Sequence, residues 1–270
     1  MSSIKEKIAL FLGKASERLE FICRFIEALH TAVDAVWLIR SLVDKDPASY
    51  APHLADQLGN LGTAFRRLNR HTESLNVDQD SVGLLRSLVA ENPASYTPDL
   101  AFELGNLGSD LSNLNRHTES LSVDQEAVSL YRSLVAENPA SFTPDLACHL
   151  SNLGVDLSKL NRQMESLRVR QEAVGLYRSL VAENPASYTP HLALGLGNLS
   201  FILSNLNRDM ESLKVCQESV ELYRSLVVEN PASYTPNLVH WLDDLSIILW
   251  YMGREVESQA ASQESARLRI

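Results

Sequence analysis

Between residues 93 and 138, Leu100, Leu104, Leu107, Leu111 and Leu114 recur at steps of four, three, four and three, which sets them along one stripe of an amphipathic helix. We term this helix A. Its start is expected at Thr97-Pro98-Asp99, where a hydroxyl can cap free N–H groups, a proline is tolerated in the first turn and an acid sits near the positive helix end. After a short link, Asn115-Arg116-His117, the apolar positions Leu121, Val128, Tyr131 and Leu134 or Val135 predict a second amphipathic helix, B. Helix B should end at Asn138-Pro139, because proline restricts the residue before it and cannot continue the hydrogen-bond ladder. The spacing predicts helices of roughly 17 to 19 residues, about 25 to 28 Å long. No segment alternates with period two between turn residues, so no sheet is expected.

The whole pattern repeats. Pro-Ala-Ser-(Tyr/Phe) begins at Pro47, Pro93, Pro139, Pro185 and Pro231, at intervals of 46 residues, and residues 93–138 and 139–184 differ at 11 positions and agree at 35 of 46. Residues 1–46 fit more loosely, with Ile39-Arg40-Ser41-Leu42-Val43 standing where Tyr131-Arg132-Ser133-Leu134-Val135 does, and the last unit stops after 40 residues. Six units follow: 1–46, 47–92, 93–138, 139–184, 185–230 and 231–270, together one repeat domain over 1–270. An isolated hairpin of two such helices would leave apolar residues in water. Stacking buries them, at about 1.5 to 3 kcal/mol per leucine, and makes a continuous core. The aromatic of each repeated word (Tyr50, Tyr96, Phe142, Tyr188, Tyr234) is expected in the link between units, packed between neighbouring hairpins. The end units depart from the consensus as caps should, and truncation at Ile270 equally fits a piece of a longer chain.

Composition narrows the partners. The 270 residues are 45% hydrophobic, enough for a sizeable core, and 34 acidic against 24 basic residues give a net charge of -10. Such a surface repels phosphate backbones and anionic lipid, so neither nucleic acid nor membrane is an expected partner. Cys23, Cys148 and Cys216 make no disulfide framework and share no metal-ligand spacing, which points to a reducing cytoplasm. The apolar stretch Ile8 to Leu12, flanked by Lys5, Lys7 and Lys14, is too short to span a bilayer and makes a poor signal peptide.

Leu104-x-Asn106-Leu107-Gly108-x-x-Leu111, Asn115-Arg116-x-x-Glu119-Ser120-Leu121 and Glu126-Ala127-Val128 resemble the tetratricopeptide (TPR) repeat, in the longer form of kinesin-light-chain-like repeats and of fungal and bacterial signalling proteins. The resemblance is strong over 47–230 and weaker at both ends. Three departures stand out: a period of 46 where the family has roughly 34, Ser120 in place of a small Ala, and Asp124 where a bulky aromatic is usual, with Arg170 and Cys216 at equivalent positions. The resemblance implies an all-α fold, an α-solenoid of about six two-helix hairpins wound as a right-handed superhelix. It further implies a concave wall, built from helix A, that holds an extended peptide or a partner helix.

Differences between units mark where the scaffold tolerates change. In helix A they concentrate in three columns: Asp56, Phe102, Cys148, Leu194 and His240; Thr63, Ser109, Val155, Phe201 and Ile247; and Arg67, Asn113, Lys159, Asn205 and Tyr251. Offsets of seven and four residues put all three on one helical face, the face that matches the ligand-facing positions of TPR helix A. A solvated surface free to drift would give the same pattern. One column on that face is constant: Asn60, Asn106, Asn152 and Asn198, with Asp244 in the fifth copy and Lys14 in the first. Asparagine is a mediocre helix former, and its amide both donates and accepts, which suits pairing with peptide N–H and C=O groups. The column resembles the asparagine ladder of some TPR superhelices, notably that of O-GlcNAc transferase; hydrogen bonds from each Asn to the neighbouring unit are the alternative. If the asparagines hold a backbone, the variable columns read side chains, from Asp56, Arg66 and Arg67 at one end to Leu194, Phe201, His240, Ile247, Trp250 and Tyr251 at the other, with Trp250 and Tyr251 as anchors. Packing within the last hairpin or against a missing repeat is the other reading of those two aromatics.

Catalytic motifs are lacking. Leu12-Gly13-Lys14-Ala15-Ser16 misses the first glycine and the hydroxyl of a phosphate loop, since Ile8 and Ala15 stand there. The seven histidines include no pair with metal-ligand spacing, and the repeated Arg116 and Glu119 read as a solvated ion pair. The expectation is a protein with no cofactor and no enzymatic activity that binds a protein or peptide. The alternative is the C-terminal ligand-sensing array of a nucleotide-switch (STAND/NLR-like) signalling protein.

Overall fold

The computed structural model describes residues 24–269, which are helical apart from short links. Helix α1 covers 24–43 in its described part; then follow α2 (Pro47–Arg67), α3 (His71–Glu91), α4 (Pro93–Asn113), α5 (His117–Glu137), α6 (Pro139–Lys159), α7 (Gln163–Glu183), α8 (Pro185–Asn205), α9 (Asp209–Glu229), α10 (Pro231–Tyr251) and α11 (Glu255–Leu268). Even-numbered helices from α2 onward are A helices and odd-numbered ones from α3 onward are B helices. The chain divides within α5 into two compact units, one to Ala127 and one from Val128. The expectations placed on Lys14, Cys23, the stretch Ile8 to Leu12 and Ile270 lie outside the described residues.

Each helix from α2 to α10 has 21 residues, longer than the spacing predicted, because helix A begins one turn before Thr97. Asn92 is the cap: its side-chain oxygen accepts from the Ser95 N–H at 3.3 Å, and Pro93 fills the first helical position, where its missing N–H has no partner to lose. Asn138, Asn184 and Asn230 do the same, and Asp46 does it for α2. The Thr97 hydroxyl instead donates to the Pro93 carbonyl at 2.7 Å, and Pro98 lies inside the helix. Asn92 also ends α3, so one extended residue, at φ -143°, separates helix B from the next helix A. The repeated aromatics consequently sit in the first turn of helix A rather than in a link. Two of them, Tyr188 and Tyr234, pack between neighbouring hairpins as expected, Tyr188 on a core shared by α7 and α8 and Tyr234 on one shared by α9 and α10.

The link from A to B is Leu114-Asn115-Arg116, and His117 already belongs to α5. Asn69, Asn115, Asn161 and Asn207 take the left-handed conformation at φ 55 to 60°, and Gly253 does so at 72°. The Asn115 and Arg116 N–H groups bond the Ser112 and Leu111 carbonyls at 2.9 and 2.8 Å, which closes the helix end in the Schellman arrangement. The next helix opens with Arg116 gripping Glu119 through two bonds of 2.7 Å, an exposed pair of modest energetic weight.

Most of the leucine stripe is buried as its spacing predicts: Leu100, Leu104, Leu107 and Leu111 of α4 are shielded from water, as are Leu121, Val128, Tyr131 and Leu134 of α5, while Leu114, at the helix end, is half-buried. Close approach of A and B depends on small residues. Ser120 is fully buried and its hydroxyl donates to the Gly108 carbonyl at 2.7 Å; Ser74, Ser166, Ser212 and Ser258 repeat this bond to residues 62, 154, 200 and 246 at 2.7 to 2.9 Å. The position that departs from the family pattern completes the fit. Asp78 lies over Gly62, Asp124 over Gly108 and Arg170 over Gly154, each so close that a Cβ on the glycine would overlap it, whereas Ser200 replaces the glycine where Cys216 is the partner.

Successive hairpins are joined in the same manner. Arg86 pairs with Glu126, Arg132 with Glu172, Arg178 with Glu218 and Arg224 with Glu264, always 40 residues apart on consecutive B helices. Between A helices the Trp241 ring lies over Gly197, with a Cβ there only 2.4 Å from the ring. Ala in place of Gly197 gains roughly 1 kcal/mol of helix propensity but overpacks this contact, at about 1 to 3 kcal/mol. Gly197→Ala should therefore lower the urea unfolding midpoint, and in a Trp241→Leu background the same substitution should be neutral or stabilising.

Candidate functional site

The variable columns of helix A lie on its outward face. Asp56, Phe102, Cys148, Leu194 and His240 are exposed, as are Arg67, Asn113, Lys159, Asn205 and Tyr251; Thr63 and Ser109 are half-buried beside exposed Val155, Phe201 and Ile247. Asn60 is exposed, whereas Asn106, Asn152, Asn198 and Asp244 are half-buried. Trp250 and Tyr251 are 61% and 75% exposed and meet edge to face at 5.0 Å, so neither packs into the last hairpin. Some of these groups already have partners. The Asn113 amide donates to its own helix at the Ser109 carbonyl (2.9 Å), and the Arg67 guanidinium lies 5.6 Å from the centre of the Phe25 ring.

Arg66 departs from the expectation that placed it on the ligand-facing wall. Its guanidinium turns inward to the buried carboxylates of Asp78 and Asp110, at 2.5 and 3.1 Å, and to the Ser74 hydroxyl at 3.0 Å. His71 adds a contact from Nδ1 to Asp110 at 3.0 Å. Burial pushes the Asp78 carboxyl up to about 8 against the pull of Arg66, with Glu103 and Asp110 adding to the rise. The cause is physical: the buried oxygens of Asp78 and Asp110 need a donor, and the guanidinium supplies one.

In the unit that ends at Ala127 the structure brings Asp56, Asn60 and Phe102 together. They line a recess of about 500 Å³ between α2 and α4, with Asp99 and Glu103. Glu103 is 7% exposed, and its Oε2 has no hydrogen-bond partner. Burial raises its pKa, and burial together with the Asp56 charge raises that of Asp99. Asn106 stands close enough to favour the charged form of Glu103, yet its Nδ2 is buried without a hydrogen bond of ordinary geometry. In the unit that begins at Val128 the outward face carries exposed Val155, Leu194, Phe201, Ile247, Trp250 and Tyr251, beside Lys159, Asn205 and His240.

Glu103 and His149 escape the sequence reading. They belong to the column Gln57, Glu103, His149, Gly195 and Trp241, which varies as freely as its exposed neighbour but points between helices. Its signal is compensation: Gly197 precedes Trp241 and Gly59 precedes Glu103, while Ser151 precedes Gly195, so large residues answer small ones one unit away. Among the described residues, no group of three His, Cys, Asp or Glu side chains is placed to hold a metal ion, and no helix is long and apolar enough to cross a membrane.

A tetratricopeptide-repeat family model matches residues 104–140, which run from the middle of one helix A through helix B to the start of the next unit. The repeated unit is a tetratricopeptide repeat. Solved structures share the α-solenoid fold: BtubC (BKLC) from P. vanneervenii, at TM-score 0.71 and 15% identity over 91% of each chain, and a Podosopora anserina kinesin-light-chain-like protein with nearly identical TPR-like repeats, at 0.60 and 12% over 79% of this chain and 94% of that one. The apo form of RapI follows at 0.57 and 10%, over 89% and 91%. Comparison with curated proteins gives no significant match by sequence. TPR arrays are general scaffolds for protein interaction, which agrees with variation concentrated on one outward face.

His149 gives the array a measurable acid response. Stacked on Tyr131 at 4.7 Å and desolvated, it stays neutral down to about 4, from an ordinary value of 6.5. A depressed base contributes stability that is present above the unfolded value and lost as pH falls through the folded one. His149→Phe keeps the stacked ring and removes the titration. Its stability relative to the parent should thus rise as pH falls from 6.5 to about 4, approaching roughly 3 kcal/mol; a pH-independent difference in urea unfolding would contradict this.

Proposed function

We propose that this chain is a non-catalytic cytoplasmic scaffold that holds an extended segment of a partner protein, and not nucleic acid or lipid, along the outward face of its A helices. The observation that carries the reading is the recurrence of one amide at the fourteenth residue of four A helices, Asn60, Asn106, Asn152 and Asn198, with Asp244 in the fifth. Around it Asp56, Arg67, Phe102, Asn113, Lys159, Leu194, Phe201, Asn205, His240, Trp250 and Tyr251 differ from unit to unit. A primary amide pairs with backbone whatever the peptide sequence, and the flanking columns then choose side chains.

The test is a synthetic array of unrelated 15-residue peptides probed with labelled protein. Changing Asn106, Asn152 and Asn198 together to Ala should weaken every bound peptide, by about 100-fold if each amide supplies about 1 kcal/mol. Trp250→Ala should abolish only those peptides with apolar anchors, at about 2 kcal/mol or more. Unchanged binding by the triple variant, with its helical circular dichroism intact, would sink the backbone-holding role.

A further inference from the structure

The residues that build the recess between α2 and α4 are not repeated in the other copies. The column of Glu103 holds Gln57, His149, Gly195 and Trp241 in the other copies, and that of Asp99 holds His53, Asp145, His191 and Asn237. Gly59 makes the room: a Cβ there would stand 2.2 Å from Glu103 Oε1. The carboxylate therefore lies against bare backbone of α2, nearly sealed from water, with Oε2 unpartnered. Asp56 and Asp99 stand on the rim, both exposed, and no Lys or Arg among the described residues lines the cavity. Arg66, whose charge reaches Glu103, directs its hydrogen bonds to Asp78 and Asp110. Burying an ionised carboxylate without a partner is costly, so the site is arranged for a charge that arrives from outside.

We propose that this recess is an arginine pocket, in which a guanidinium from a partner peptide pairs with the Glu103 carboxylate between Asp56 and Asp99. Phe102, 53% exposed at the rim, selects guanidinium over ammonium, since a flat cation stacks on its ring while a carboxylate takes it through two parallel bonds. Asn60, in the same lining, is placed to hold the peptide backbone beside the inserted side chain. The inference rests on the peptide-binding reading above and adds to it the chemistry of one side chain.

The experiment titrates the full chain with four probes: acetyl-Ala-Ala-Arg-Ala-Ala-amide, its citrulline and lysine counterparts, and acetyl-argininamide. The arginine peptide should bind about tenfold or more tighter than the citrulline peptide, with lysine between them. Glu103→Gln should erase that preference and, having lost a buried charge, melt no lower than the parent. Asp56→Asn, a change on the exposed rim, should reduce arginine-peptide affinity several-fold and provides the same test should the first variant fold poorly. Equal binding of arginine and citrulline peptides, or a preference that survives both substitutions, overturns the pocket while leaving backbone holding intact. Acetyl-argininamide binding as tightly as the pentapeptide overturns the peptide as the source of the guanidinium.

Discussion

The bond on which the rest of this array depends is the buried one from Ser120, and its four equivalents, to a helix A carbonyl twelve residues earlier. A hydroxyl with no access to water must be satisfied within the protein, and it is satisfied only if the two helices approach until their backbones nearly touch. That distance requires glycine or serine at the facing position of helix A. A glycine in turn leaves a hollow, and the hollow is filled by whatever stands one turn further along helix B. Thus Asp78, Asp124 and Arg170, which look misplaced against a pattern that favours an aromatic, are the complement of Gly62, Gly108 and Gly154.

Much of this was legible from residue spacing. The leucine steps, the 46-residue period and the prolines that follow each helix B define the helices among the described residues, because each reports a local rule that packing does not override. The start of helix A was not legible. Thr97-Pro98-Asp99 and Asn92-Pro93 both satisfy the rules for a helix N-terminus, and local chemistry does not choose between them. The choice falls to Asn92 because the cap it forms bonds the Ser95 N–H while its backbone also ends α3, so one residue serves two helices and no link has to be ordered. A proline six residues into the helix is the cost of that economy.

The candidate site was legible as a face but not as a cavity. Variation between copies identifies positions free of the common core, and it located Asp56 and Phe102 correctly on the outside. It could not distinguish them from Glu103, the adjacent residue, whose column varies just as much. The difference is one helical step of about 100°, which turns the side chain from solvent toward the neighbouring helix A. Only a paired change, a small residue on one unit answering a large one on the next, separates a tolerant surface from a compensated interior. Gly197 with Trp241 and Gly59 with Glu103 show that compensation at two junctions.

The net charge of -10 leaves the preferred sign of a ligand open so long as Arg66, Arg67 and Lys159 are all counted toward the ligand-facing wall. The structure withdraws the first of these. Arg66 is held by two buried carboxyl groups, and an arginine so placed does not turn outward to meet an acidic ligand, because its departure would leave buried oxygens of Asp78 and Asp110 without the donor they now have. The recess at the α2–α4 junction is then lined by Asp56, Asp99 and Glu103 with no Lys or Arg in its wall. At the other end of the chain, Leu194, Phe201, Ile247, Trp250 and Tyr251 present apolar surface with little charge to oppose it. A single repeat sequence has thereby acquired two unlike surfaces through a handful of substitutions, most of them at positions where the common core is indifferent. Duplication supplies the scaffold. The few residues that break its symmetry, and above all one arginine drawn inward, set the charge that its outward face presents.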